Sequence, residues 1–172
     1  MYKRQALGSA SIQRVVYIGK VSITDSIEIA VSPDVAFAAV SDLPQMGRYS
    51  PENTGGTWGN KATGPAKGAK FKGTNAHEKT TWSTTATVTT CEKPSCFAFS
   101  VGFAFFPIAD WEYRFEATPT GCRVSETWTD RRASLFKRFI KIKEVPDRDA
   151  YTVTSIRTTL ENLKASLEAT AS

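Results

Sequence analysis

Aromatic and charged residues alternate through positions 110–116, with Trp111, Tyr113 and Phe115 on one side and Asp110, Glu112, Arg114 and Glu116 on the other. Successive side chains of a strand point to opposite faces, so the alternation predicts a β-strand with one buried face. Residues 82–88 and 97–101 repeat the pattern through Trp82, Thr84 and Val88 and through Phe97, Phe99 and Val101. In a fourth stretch the apolar register of Val124 and Trp128 contains a carboxylate, Glu126. A sheet built this way has an inner face that is wide, aromatic and dotted with polar atoms, as a pocket wall would be.

Six strands are predicted between Pro51 and Asp130, at about 52–58, 68–78, 80–91, 95–104, 109–118 and 121–129, separated by Gly- and Pro-containing turns. The short connections make them an antiparallel meander. An earlier strand, 22–31, carries Ile23, Ile27, Ile29 and Val31 in one register and runs into Ser32-Pro33-Asp34. That triplet is a helix start, since serine caps, proline suits the first helical position and aspartate suits the positive end of the dipole. The helix is short, because Ser41-Asp42-Leu43-Pro44 begins a second one that ends near Arg48. At the other end of the chain, Val153, Ile156, Leu160, Leu163 and Leu167 recur at spacings of three and four. They form one apolar stripe on a helix of about six turns, with Pro146, Asp147 and Asp149 at its start.

The 172 residues suit one domain, 21–172, preceded by a flexible leader, 1–20. Cations at Lys3, Arg4, Arg14 and Lys20 interrupt the leader, so neither a signal peptide nor a membrane span is expected there. The formal charge of +5 is local: residues 131–143 hold six cations and no acid, which leaves a net −1 elsewhere. Nucleic acid is therefore not an expected partner. In 131–143, Leu135, Phe136, Phe139 and Ile140 share one side of a short predicted helix, opposite Lys137, Arg138 and Lys141. Such a helix suits transient contact with an anionic membrane, although packing its apolar side on the domain is the ordinary outcome. Cys91, Cys96 and Cys122 are odd in number and lack zinc-site spacing, which favours reduced thiols in a cytoplasmic protein. No metal cluster, nucleophile motif or phosphate loop is visible, so no cofactor or metal is expected.

The order of elements, with Ile29 to Phe37, Gly68 to Gly73, Arg123 to Arg132 and Thr158 to Lys164, resembles the START-like or SRPBCC superfamily. Together these residues look like its bacterial branch of polyketide cyclase/dehydrase and lipid transport proteins. The resemblance spans about residues 22–169. It implies an α+β helix-grip fold: a curved seven-stranded antiparallel sheet wrapped around a long C-terminal helix, with two short helices after the first strand. It also implies a cavity for a hydrophobic ligand, but no single reaction.

The residues expected to line that cavity are Phe71, Asn75, His77, Trp82, Thr84, Phe97, Phe99, Trp111, Tyr113, Glu126 and Trp128. Burial among tryptophans should raise the pKa of Glu126, which makes it the candidate acid or base. Its structural alternative is a bond to a buried partner such as Asn75 or Arg48. His77, close to a turn, is also suited to facing solvent. Two functions follow: binding or transport of a lipid, isoprenoid or aromatic polyketide, or a cyclase or dehydratase using Glu126 with Asn75 or His77. A regulatory association through the basic segment is a third. The sequence leaves the ligand and the oligomeric state open.

Overall fold

The computed structural model describes residues 4–6, 12–17, 20–59, 61–103, 106–132 and 147–171. Of the basic segment only Arg131 and Arg132 are included, so the amphipathic helix expected there lies outside the described residues. Seven strands form the expected antiparallel sheet: β3 (Lys20–Ile29), β4 (Asn53–Gly59), β5 (Lys70–His77), β6 (Thr80–Glu92), β7 (Cys96–Phe103), β8 (Phe106–Thr118) and β9 (Gly121–Asp130). Two more strands, β1 (Arg4–Ala6) and β2 (Gln13–Tyr17), arise within the stretch expected to be a leader. They extend the sheet in the order β1-β2-β3-β9-β8-β7-β6-β5-β4. Without β2, the long strand β3 would present a row of unpaired backbone groups, and pairing from Gln13↔Thr24 to Tyr17↔Lys20 satisfies it.

Helix α1 (Pro33–Ser41) starts as its residues dictate, with the Ser32 side chain accepting a hydrogen bond from the Val35 N–H. It buries Ala36, Phe37 and Val40, and a 3₁₀ helix, Leu43–Arg48, follows and buries Leu43 and Met46. The long helix α2 (Arg148–Ala171) lies along β3 and β9 and fully buries Ile156, Leu160 and Leu163. The Asp147 carboxylate accepts from the Ala150 N–H at 3.0 Å, which caps the first turn of α2.

The inner face of the sheet divides along the strands. Towards the β8–β9 turn, Phe37 of α1 packs edge-on against Phe97 and Phe115, at 6.1 and 5.6 Å between ring centres. Gly121 closes that end. A Cβ there would stand 2.1 Å from the Ile29 carbonyl oxygen, so only glycine lets the turn approach β3. Towards the other end none of the described helices covers the sheet so tightly, and among the described residues the aromatic side chains of β7, β8 and β9 border a space.

Candidate functional site

That space is a cavity of about 560 Å³ between the sheet, the 3₁₀ helix and the first turns of α2. Its walls come from Leu43 and Met46, from Phe71, Trp82 and Ala86 on β5 and β6, and from Phe99, Val101, Ile108, Trp111 and Trp128 on β7 to β9. Ser155 and Thr159 of α2 also line it. Strand register explains the grouping: Val88, Phe99, Trp111, Trp128 and Ile23 form one row across five strands, each directly paired with the next.

Nine of the expected lining residues stand on the cavity: Phe71, Asn75, Trp82, Thr84, Phe99, Trp111, Tyr113, Glu126 and Trp128. Two do not. Phe97 is fully buried in the aromatic core under Phe37, because α1 crosses the sheet at its row. His77, at the end of β5, packs edge-on against Tyr151 of α2 with ring centres 4.8 Å apart, outside the lining.

One side of the cavity is polar in an ordered way. Asn53 donates to the Asn75 side-chain oxygen at 3.3 Å, and Asn75 donates to the Thr84 hydroxyl at 3.3 Å. Asn75 is thus engaged along β4 to β6 and does not serve Glu126. Arg148 at the start of α2 grips both oxygens of Glu52, at 2.6 and 2.8 Å, and lies 5.5 Å from the Tyr151 ring centre. Arg132 makes a similar fork onto Asp130 at the end of β9. Arg132, Arg148 and Glu52 all contribute to the lining.

Glu126 lies in the row below the tryptophans. It is paired on one side with Tyr113 of β8 and on the other with Asp25 of β3. Directly opposed residues of antiparallel strands share a face, so two carboxyl groups and a phenol stand side by side. Tyr113 donates its hydroxyl hydrogen to Glu126 Oε1 at 2.7 Å. Asp25 receives Arg157 of α2, with Nη2 2.6 Å from Oδ1. Among the described residues four carboxylates are buried, Asp25, Glu52, Glu126 and Asp130, and arginines meet three of them. Glu126 alone has no cation among the described residues, and its Oε2 has no hydrogen-bond partner there.

The electrostatic consequence follows directly. Removal from water pushes the Glu126 carboxyl up to about 8; the Tyr113 hydrogen bond offsets part of this, and the Asp25 charge adds to it. Burial, then the neighbouring Glu126, raises the Tyr113 hydroxyl well above the ordinary tyrosine value. At neutral pH Glu126 is therefore mainly a carboxylic acid. Burial also raises the Cys96 and Cys122 thiols, with Glu112 adding to the rise at Cys96, so both are poor nucleophiles.

Asp25, Arg157 and the role of Tyr113 as partner were not read from the sequence. Asp25 gives the same signal as Glu126, a carboxylate between Ile23 and Ile27 in an apolar register. No helix among the described residues is long and apolar enough to cross a membrane.

A family model described as polyketide cyclase / dehydrase and lipid transport matches residues 20–168. A Polyketide_cyc-like protein from Corynebacterium glutamicum, known from its solution structure, is 29% identical. The match covers 87% of this chain and 93% of that one, with a TM-score of 0.61. A crystal structure of a protein from Mycobacterium smegmatis has a TM-score of 0.63 at 19% identity, covering 87% and 92% of the two chains. The di-domain ARO/CYC StfQ from the steffimycin biosynthetic pathway has a TM-score of 0.68 at 14% identity. That match covers 88% of this chain and 52% of the di-domain protein, and it is a likeness of fold alone. No curated protein matches the sequence.

Proposed function

Because the chain belongs to the polyketide cyclase/dehydrase and lipid transport family, we propose that it binds a hydrophobic small molecule inside its cavity, as a carrier or receptor of that ligand. The observation that supports this most is the cavity itself: about 560 Å³ walled mainly by aromatic and aliphatic side chains. Sites for small organic ligands are concave, mostly apolar and of this size, with a few polar groups that set orientation. The Asn53–Asn75–Thr84 chain and the Tyr113–Glu126 pair are such groups. Isoprenoid, lipid and aromatic polyketide skeletons all suit the walls.

The experiment is a titration with Nile red, a neutral apolar dye, read by energy transfer from Trp82, Trp111 and Trp128 in the lining. It is paired with native mass spectrometry of protein from its own source. Saturable one-to-one dye binding, displaced by the co-purified molecule, is the expected result. Absence of both a saturable site and any bound molecule would overturn the reading.

A second reading, a cyclase or dehydratase, is favoured by one observation. A buried carboxyl with a pKa of about 8, held by a tyrosine and facing a cavity, is close to the value that serves general acid–base catalysis at neutral pH. Such a group can hand a proton to a departing hydroxyl or take one from a carbon acidified by adjacent carbonyls. In this reading Tyr113 holds the position the sequence suggested for His77 or Asn75. Glu126→Gln separates the two: an enzyme loses turnover and keeps binding, whereas a carrier has no turnover to lose.

A further inference from the structure

The amides and hydroxyls at the β4–β6 wall bear on what kind of molecule the cavity accepts, and the inference rests on the cavity-binding reading above. Ser50, Asn53, Asn75 and Thr84 all line the cavity, and each is half-buried rather than sealed in the core.

Their hydrogen bonds run in one direction, and a backbone group sets it. The Gly55 N–H, which can only donate, meets an Asn53 side-chain atom at 2.8 Å, so that atom is the amide oxygen. The other end of the Asn53 amide is then its NH2, which donates at 3.3 Å to Asn75, directly opposite on β5. The Asn75 atom that receives it is the oxygen, and this leaves the Asn75 NH2 to donate to Thr84 at 3.3 Å. Gly73, on the same face as Asn75, makes room for the first link: a Cβ there would stand 3.3 Å from Asn53 Nδ2.

A count of hydrogens along this chain decides the chemistry. Asn53 Oδ1, Asn75 Oδ1 and Thr84 Oγ1 each accept one of these bonds. Ser50 Oγ accepts two, from the Glu52 and Asn53 N–H groups at 3.2 and 3.0 Å. Each NH2 has two hydrogens and spends one in the chain, while the Thr84 and Ser50 hydroxyl hydrogens meet no acceptor among the described residues. Every oxygen of the group is engaged and a hydrogen remains on each residue, so the wall meets a ligand chiefly as a donor. Glu52 and Arg148, which also line the cavity, are bound to each other, so the donors beside them are neutral ones.

We propose that Asn75 and Thr84 form a specificity-determining donor site, with Asn53 as its positioning residue, for the uncharged carbonyl oxygen of a hydrophobic ligand such as a ketone, quinone or ester. The two lone pairs of one carbonyl oxygen match the remaining Asn75 N–H and the Thr84 O–H. Phe71, on the same strand as Asn75, and Trp82, paired with Asn75 across β5 and β6, give the ligand's apolar body its walls.

Fluorenone and fluorene test the proposal, because the two rigid ring systems are nearly identical in shape and differ by a carbonyl in place of a methylene. Equilibrium dialysis at pH 7 compares their affinities for the wild type, Asn75→Asp and Asn53→Asp. A carboxylate at position 75 accepts from Asn53 with one oxygen and from the Thr84 hydroxyl with the other, which removes one donor and turns the second inward. A carboxylate at position 53 reverses the chain, so that Asn75 donates to it, Thr84 donates to Asn75, and only the Thr84 donor is lost. The ratio of fluorenone to fluorene affinity is expected to fall about fivefold or more in Asn75→Asp and about threefold in Asn53→Asp, with fluorene affinity within about twofold of wild type in both. The carbonyl stretching band of fluorenone bound to the wild type should lie below its position in hexane and move back towards it in Asn75→Asp. A ratio unchanged in both variants, or a wild-type band at its hexane position, overturns the inference and leaves the cavity reading standing. If neither compound binds, the cavity reading falls, and this inference with it. Should Asn75→Asp fail to fold, the wild-type band and the ratio in Asn53→Asp still decide, and either one at its unperturbed value overturns the inference.

Discussion

Asp25 and Glu126 face each other across β3 and β9, both almost completely buried, and among the described residues only Asp25 of the two has an arginine. The asymmetry gives two chemically similar side chains different tasks. Asp25 with Arg157 fastens the long helix to the sheet, while Glu126 with Tyr113 presents a polar group to the cavity.

Removing the fastening should be costly. Arg157→Met leaves Asp25 as an unpaired buried charge, and breaking a buried pair in this way destabilises by about 3 kcal/mol or more. The expected result is a lower denaturant midpoint with an unchanged slope. Adding Asp25→Leu should recover most of the loss, since the stranded charge is then gone. A single variant as stable as the wild type would show that the ion pair does not hold α2.

Glu126 should make stability depend on pH with a definite sign. Below its ordinary value of 4.5 the group is protonated in the folded and unfolded chain alike. As pH rises from 4.5 to about 8 the unfolded chain releases a proton that the folded chain keeps, so stability falls across that window and levels off above it. At pH 7 the contribution is roughly 3 kcal/mol against folding. Glu126→Gln keeps the Tyr113 hydrogen bond and cannot ionise. Urea unfolding should therefore show the variant gaining on the wild type from pH 5 to pH 8, and a pH-independent gap between the two would remove the basis for a protonated Glu126.

How far these features were legible depends on what alternation encodes. Long alternating runs such as 110–116 fixed strand identity and the inner face, and β4 to β9 fall close to their expected limits. Alternation does not say which part of a face another element covers. Phe97 was expected at the cavity but lies under Phe37 of α1, two residues from Phe99, which does line it. Strands β1 and β2 escaped notice because Val15, Val16 and Tyr17 are consecutive and show no period of two. Arg157 and Arg148 lie among the polar positions of an amphipathic helix, where an arginine looks like a solvated one. Their partners Asp25 and Glu52 come from segments far away in sequence, and only the folded sheet brings them together.

Filling the cavity should separate binding from folding. Val101 lines the cavity and is only half-buried, so Val101→Trp can place the larger ring in the empty space. Nile red affinity should fall at least about tenfold, while the melting temperature stays within a few degrees because no packed side chain is displaced. Undiminished dye binding in a folded Val101→Trp protein would place the dye elsewhere.

The rim of the cavity gives the last expectation. Arg148 and Glu52 form a two-pronged charge-assisted pair, largely shielded from water, that links the start of α2 to the segment entering β4. The Ala76 N–H bonds the Glu52 carbonyl, so the same residue is held to β5 by its backbone while its side chain holds the helix. Arg148→Met should release the helix end without disturbing Asp25–Arg157 about two and a half turns along, and cost about 2 kcal/mol. Hydrogen exchange should then quicken in residues 50–53 and 148–152 and stay slow around Ile156 and Leu160. A bound apolar ligand should also leave faster, because its retention depends on how rarely the rim opens. If exchange at both segments is unchanged, the pair is a surface ornament of the rim and the helix end is held by packing, with Tyr151 against His77 the first contact to examine.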